Sequence, residues 1–136
     1  MKLITRDTDY ALRALCFIAG HQGQTIPVAR LSDELGVPGP FLRKILQLLN
    51  KKMILKSTRG KSGGFILSKD PEKILLIDIM RVFQGRLKLN ECSLNKLICP
   101  NRRACSLRKK LTKIERYVLK ELGYITIASL LRQKQG

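Results

Sequence analysis

The chain has 136 residues, 44% of them hydrophobic, enough for one modest core and an appended helical segment but not for two full domains. It carries 27 Lys and Arg against 10 Asp and Glu, a formal charge of +17, so its surface seeks a polyanion, nucleic acid foremost. No apolar run approaches the ~18 residues of a membrane span, and Asp7 and Asp9 stand where a secretory signal would be apolar, which together predict a cytoplasmic protein without membrane contact.

The first predicted element is a helix over Arg6–Gly20, with Leu12, Leu15, Cys16 and Ala19 at helical spacing, Ala11, Ala14 and Ile18 filling further positions, and Gly20 ending it. Cys16 lies inside that stripe and reads as a small core residue.

Residues Ile26–Asn50 split at Gly36 into two helices. Pro27 suits a helix start, and Val28, Leu31 and Leu35 form the first stripe. Gly36 can stop that helix in the left-handed conformation. Pro38 and Pro40 fit the first turn of the second helix, where a missing N–H costs nothing, and Phe41, Leu42, Ile45, Leu48 and Leu49 bury one side. A tight three-residue link between two helices is the helix-turn-helix pattern, and a plain helical hairpin is its rival. In a DNA reader the second helix enters the major groove by its N-terminal end, so Gly39, Pro40, Arg43, Lys44 and Gln47 are the candidate contacts.

Met53, Ile54 and Leu55 continue into a hairpin of two short apolar runs around a basic, glycine-rich turn, the pattern of a wing. Its tip holds Arg59, Gly60, Lys61 and Ser62, and the adjoining Gly63 and Gly64 let backbone approach DNA closely, as an arginine in the minor groove requires. The spacing of a nucleotide-phosphate loop is absent. From Glu34 to Asp70 no acidic residue intervenes, while Arg43, Lys44, Lys51, Lys52, Lys56, Arg59, Lys61 and Lys69 all fall there, which favours a phosphate-facing surface over an ordinary solvated one.

A dense apolar helix follows, containing Ile74, Leu75, Ile77, Ile79, Met80, Val82 and Phe83. Further on, Leu107, Leu111, Ile114, Val118 and Leu122 recur at intervals of three and four, the seam of a long amphipathic helix. Pairing with a second copy covers such a seam and predicts a homodimer on a palindromic double-stranded DNA site; packing back on its own domain, with Ile125, Ile127, Leu130 and Leu131 as part of the cover, is the alternative. The predicted fold is mainly α, a winged helix-turn-helix with a two-stranded wing over 1–85, a cysteine-bearing loop over 86–106, and a dimerisation helix with a short final helix over 107–136.

Cys92, Cys99 and Cys105 fall in that loop with Lys96, Arg102, Arg103 and Arg108 nearby, so the thiolates are gathered among cations. A reducing compartment argues against a disulfide. The Cys-x6-Cys-x5-Cys spacing lacks the close pair that zinc generally uses and suits a bulkier iron-sulfur cluster, while zinc and a reactive thiol sensor stay open. No nucleophile-and-base set or cleft carboxylate pair points to an enzyme.

Several segments together resemble bacterial iron-sulfur winged-helix transcription regulators of the IscR and NsrR type, nearly end to end. They are Tyr10-Ala11-Leu12-Arg13, Gly36-Val37-Pro38, Phe41-Leu42-Arg43-Lys44-Ile45-Leu46, Arg59-Gly60-Lys61-Ser62-Gly63-Gly64-Phe65 and the three-cysteine loop. The resemblance implies that Cys92, Cys99 and Cys105 are cluster ligands at the start of the dimer helix. The two-iron branch has a histidine three residues after the last cysteine, where this chain has Arg108, and its only histidine is His21. The nitric-oxide-sensing branch uses an aspartate of the partner's first helix, and Asp9 occupies that position. The resemblance thus implies a 4Fe-4S cluster rather than 2Fe-2S, with Asp9 as a hard, labile ligand; a helix-N-terminal role in the field of the dipole is the other reading of Asp9. The expected function is a repressor whose operator affinity follows nitric oxide, oxygen, redox or iron status, and the alternative is a metal-independent or thiol-based winged-helix regulator.

Overall fold

The computed structural model describes residues 2–88 and 105–134. In chain order it contains α1 (Arg6–Ala19), α2 (Val28–Leu35), α3 (Gly39–Lys51), β1 (Leu55–Thr58), β2 (Gly64–Leu67), a single 3₁₀ turn (Pro71–Lys73), α4 (Leu76–Gln84), α5 (Ser106–Leu122) and α6 (Ile127–Lys134). This is the mainly helical, winged architecture that the sequence predicts.

The main core lies where α1 meets α2, α3 and the wing. Ala11, Ala14, Leu15 and Ile18 of α1 are buried against Leu31, Leu42, Ile45, Leu46 and Leu49. The small residues at 11 and 14 let neighbouring elements approach α1 closely, whereas Leu12 and Cys16 lie at the margin, packed against the core but only partly buried. Leu46 is fully buried and Phe41 only partly so, a slight rotation of the face expected for α3.

The break between α2 and α3 follows from its residues. Pro27 precedes α2 as its N-cap, and Gly36 ends α2 in the left-handed region at φ 66°. Its N–H donates to Ser32 O at 2.9 Å, and the Ser32 hydroxyl donates to Val37 O at 2.6 Å, which braces the turn. Pro38 stands as the N-cap of α3 rather than inside it, and Pro40 occupies its first turn, so the leading end of α3 is stiff.

Met53 was expected to run on into the wing, yet it sits at φ 64°. The N–H of Ile54 donates to Leu49 O at 3.0 Å, so Met53 is the left-handed residue of a helix-ending motif that glycine usually fills. The wing pairs Leu55 with Leu67 through Thr58 with Gly64, antiparallel. Ile26, just before α2, adds a bridge to Phe65 and ties the wing root to the helix-turn-helix.

Ile74 and Leu75 are extended rather than helical. The N–H of Leu76 donates to Ile125 O at 2.9 Å and that of Ile127 to Ile74 O at 3.0 Å, so the link between α5 and α6 pairs with the approach to α4. Consequently α6 packs on α1 and the 3₁₀ turn, with Ile127 fully buried. Val118 and Leu122 of α5 join Leu76, Met80 and Ile125 in a second, smaller cluster. Towards its start α5 leaves the body: Leu107 is 63% and Ile114 51% exposed. Among the described residues no helix is long and apolar enough to cross a membrane.

Candidate nucleic-acid interface and metal ligands

Residues 40, 43, 44 and 47 share one face of α3, and Pro40, Arg43, Lys44 and Gln47 are all exposed there. With Gly39 they line a groove whose other wall is α2, through Val28, Ala29, Ser32 and Asp33. No acidic residue lies in the first turn of α3, so the positive end of the helix dipole and two cations face the same solvent. The sequence reading missed the α2 wall. Its signal was available, because Ala29, Ser32 and Asp33 lie off the stripe made by Leu31 and Leu35. Asp33 is the single carboxylate among the groove-lining residues; it repels phosphate and can accept a hydrogen bond from a cytosine amino group.

At the wing tip Arg59, Gly60, Lys61 and Ser62 are all exposed. Gly60 has φ 109°, and the Gly63 N–H closes the turn on Gly60 O at 2.9 Å. A Cβ on Gly63 would stand 2.7 Å from Thr58 O, so the tip is as tight as glycine permits. Gly64 has a different task from the approach to DNA expected of it. A Cβ there would meet Ile26 O at 2.4 Å, so this glycine admits the Ile26 strand to the wing root.

The first turn of α1 supports the leading end of α3. The Arg6 guanidinium lies 4.6 Å from the centroid of the Phe41 ring, and Tyr10 meets that ring edge-on at 6.1 Å. In the same turn Asp9 pairs with Arg13 at 3.0 Å, its side chain 44% exposed. On the other side of the turn, the Gln84 side-chain carbonyl accepts from Thr8 Oγ1 at 2.7 Å and from the Thr5 N–H at 3.1 Å. The first turn of α1 therefore touches both the reading helix and the end of α4.

Cys105 is the N-cap of α5, half-buried and in no disulfide. Lys109 and Lys110 are exposed in the next turn. Cys92 and Cys99, with Lys96, Arg102 and Arg103, lie outside the described residues. Among the described residues no three His, Cys, Asp or Glu side chains converge, so Asp9 and Cys105 of one chain do not by themselves make a site. The donor types nevertheless suit iron: Cys105 offers a soft sulfur ligand at a helix N-terminus beside Lys109 and Lys110, and the Asp9 carboxylate is accessible to a partner chain's ligand set.

A helix-turn-helix with a stiff, cationic reading face, flanked by a glycine-tight basic wing, defines a winged-helix DNA-binding regulator. It is similar to the global cysteine regulator CymR of B. subtilis, with a TM-score of 0.80, 23% identity and coverage of 98% of each chain. It is also similar to a putative transcriptional regulator of Listeria innocua, with a TM-score of 0.82 and 27% identity over 95% of this chain and 85% of that one. A third likeness is to IscR of T. potens, with a TM-score of 0.77 and 25% identity over 98% and 88% of the two chains. The chain belongs to the Rrf2 family, iron-dependent transcriptional regulators, which it matches over residues 4–133. It is a transcription regulator and not an enzyme.

Proposed function

We propose that this protein is a cytoplasmic, homodimeric repressor that reads a palindromic operator, its affinity set by an iron-sulfur cluster at the seam between subunits. Gly39, Pro40, Arg43, Lys44 and Gln47 enter the major groove, and Arg59, Gly60, Lys61 and Ser62 reach the flanking minor groove. Cys92, Cys99 and Cys105 hold the cluster together with Asp9 of the partner subunit, and four irons fit this set better than two because Arg108 stands where the two-iron branch has histidine.

One observation carries this reading. The exposed apolar seam of α5 begins at Leu107, two residues after Cys105, so a partner helix covering that seam comes to lie beside the Cys105 sulfur. Bound there, the cluster supplies a centre that reacts with nitric oxide, oxygen and oxidants. The chain's own residues supply the readout. Asp9 shares its helical turn with Arg6 and Tyr10, which rest on Phe41 of the reading helix, so Asp9, if it held a cluster iron, would tie that iron to the turn that supports α3. Releasing Asp9 from Arg13 costs little, since an exposed ion pair is worth about 0–1 kcal/mol. Any shift in DNA affinity would have to come from unequal cluster affinity for two arrangements of the reading heads, and ligands drawn from both subunits would provide that inequality.

Anaerobic purification tests the proposal. A brown protein with iron and sulfide, colourless in the Cys92→Ala, Cys99→Ala or Cys105→Ala variants, is expected; colourless native protein with three reactive thiols would instead support a thiol-based regulator. Asp9→Ala should still assemble the cluster but lose it faster under oxygen or nitric oxide, and an unchanged lifetime would remove Asp9 from the ligand set.

A further inference from the structure

The first residue of α1 lies against the reading helix. The Arg6 guanidinium carbon stands 4.6 Å from the centroid of the Phe41 ring, and the Arg6 side chain is 65% exposed. Two carboxylates share its helical turn. Asp7, itself 47% exposed, approaches Arg6 Nε only to 3.6 Å, and Asp9 is paired with Arg13 at 3.0 Å. An ion pair as long and as exposed as that with Asp7 does not withhold a guanidinium from a stronger anion, so the cation rests on the ring beneath it and keeps donors to spare.

The position of Phe41 on α3 gives that cation a direction. At about 100° per residue, the exposed Pro40, Arg43, Lys44 and Gln47 centre on one face of the helix and the buried Leu42, Ile45, Leu46 and Leu49 on the opposite one. Phe41 lies on one flank between these faces. Gly39 lies on the other, along which α2 closes the groove through Ala29, Ser32 and Asp33. A helix with its side chains is roughly 10–12 Å across and the major groove roughly 12 Å wide, so a reading helix fills the groove and each flank meets one of the two phosphate strands. The α2 flank meets one strand, and the flank that bears Phe41 and Arg6 meets the other.

We infer that Arg6 is a further DNA contact, its guanidinium held on the Phe41 ring and donating to a backbone phosphate of the strand opposite α2. The inference rests on the reading face proposed for α3 and adds to it an anchor from a separate element. Phosphate rather than a base is the ligand, because Phe41 lies off the face that enters the groove, which puts a guanidinium outside that ring level with the sugar-phosphate backbone. Arginine suits the task, since its planar face stacks on an aromatic ring while its N–H edges reach phosphate oxygens. Tyr10 meets the same ring edge-on at 6.1 Å, so the platform under the cation is set before the duplex arrives.

Operator titrations of the full chain across a salt series test this, with Arg6→Gln, Arg6→Lys and, as the reference, Arg43→Ala. Arg6→Gln removes the charge at an exposed helix position and should keep the helical circular dichroism. It should reduce the slope of log affinity against log salt by about one per subunit, so that over a fourfold rise in salt the native chain loses about three- to fourfold more affinity per contact than the variant does. At any one salt concentration the loss should be the same factor on the operator and on an unrelated duplex, as for a phosphate contact, while Arg6→Lys keeps the native slope. A native slope in Arg6→Gln overturns the inference and leaves Arg6 as a prop for Phe41; Arg43→Ala, if it lowers the slope in the same series, shows that the reading face of α3 stands without it. A loss confined to the operator would make Arg6 a base reader and overturn the inference equally.

Discussion

Gln84 holds the start of α1 with both ends of its side-chain amide. Its oxygen accepts from the Thr5 N–H and from Thr8 Oγ1, and its nitrogen donates to Leu3 O at 2.9 Å. Thr8 is fully buried, so its hydroxyl depends on these neighbours, of which Thr5 Oγ1 at 3.0 Å is the other. Gln84→Ala is therefore expected to cost about 1–2 kcal/mol, seen as a lower midpoint of denaturant unfolding at unchanged slope, while Gln84→Glu keeps the acceptor and loses less. A loss below a few tenths of a kcal/mol would show that the hydroxyls satisfy each other. Nothing in the sequence marked this glutamine, because its partners are 76 and 79 positions away. Met53 was illegible for the opposite reason: its neighbours Ile54 and Leu55 mask a helix end that glycine would have announced, and the left-handed backbone is held by the Ile54 and Leu49 hydrogen bond.

At the level of elements, α5 and α6 divide a surface that the sequence left in one piece. The apolar residues of α6 and its link, expected as a possible cover for the α5 seam, go mostly to α1, because pairing of Ile74 and Leu75 with residues 125–127 carries the chain end back across the body. Among the described residues Val118 and Leu122 of the seam pack into the second cluster, while Leu111 is half-buried and Leu107 and Ile114 stay exposed. Under the proposed homodimer these are the contacts between subunits, and burying a side chain of this size contributes about 1.5–3 kcal/mol. Ile114→Glu should then weaken dimerisation by at least about tenfold, measured by sedimentation equilibrium, with the helical circular dichroism retained. A variant that remains as dimeric as the native chain would place the interface elsewhere.

For the whole molecule the dominant fact is charge. A formal +17 on one chain gives DNA binding a strong salt dependence, and the exposed Arg43 and Arg59 lie on the two surfaces assigned to the duplex. Arg43→Ala and Arg59→Ala are each expected to reduce the slope of log affinity against log salt by about one per site, read from operator titrations across a salt series. If both slopes match the native value, the duplex lies neither on this face of α3 nor at the wing tip. The same surface explains the support that α1 gives to α3: Arg6 and Tyr10 fix Phe41 beside the cations, so the reading end is positioned by packing before DNA arrives.

Local chemistry determined what could be read without coordinates. Helical periodicity, the Gly36 stop, the prolines ahead of α3 and the glycine-rich basic tip each act within a few residues, so the winged helix-turn-helix was legible, as was the exposed face shared by Arg43, Lys44 and Gln47. Tertiary structure alone decided the Gln84 clamp and the return of α6 to α1. These arise where residues far apart in the chain share one volume, and an amino-acid pattern records which side chains want burial or a partner but not which distant surface will provide it.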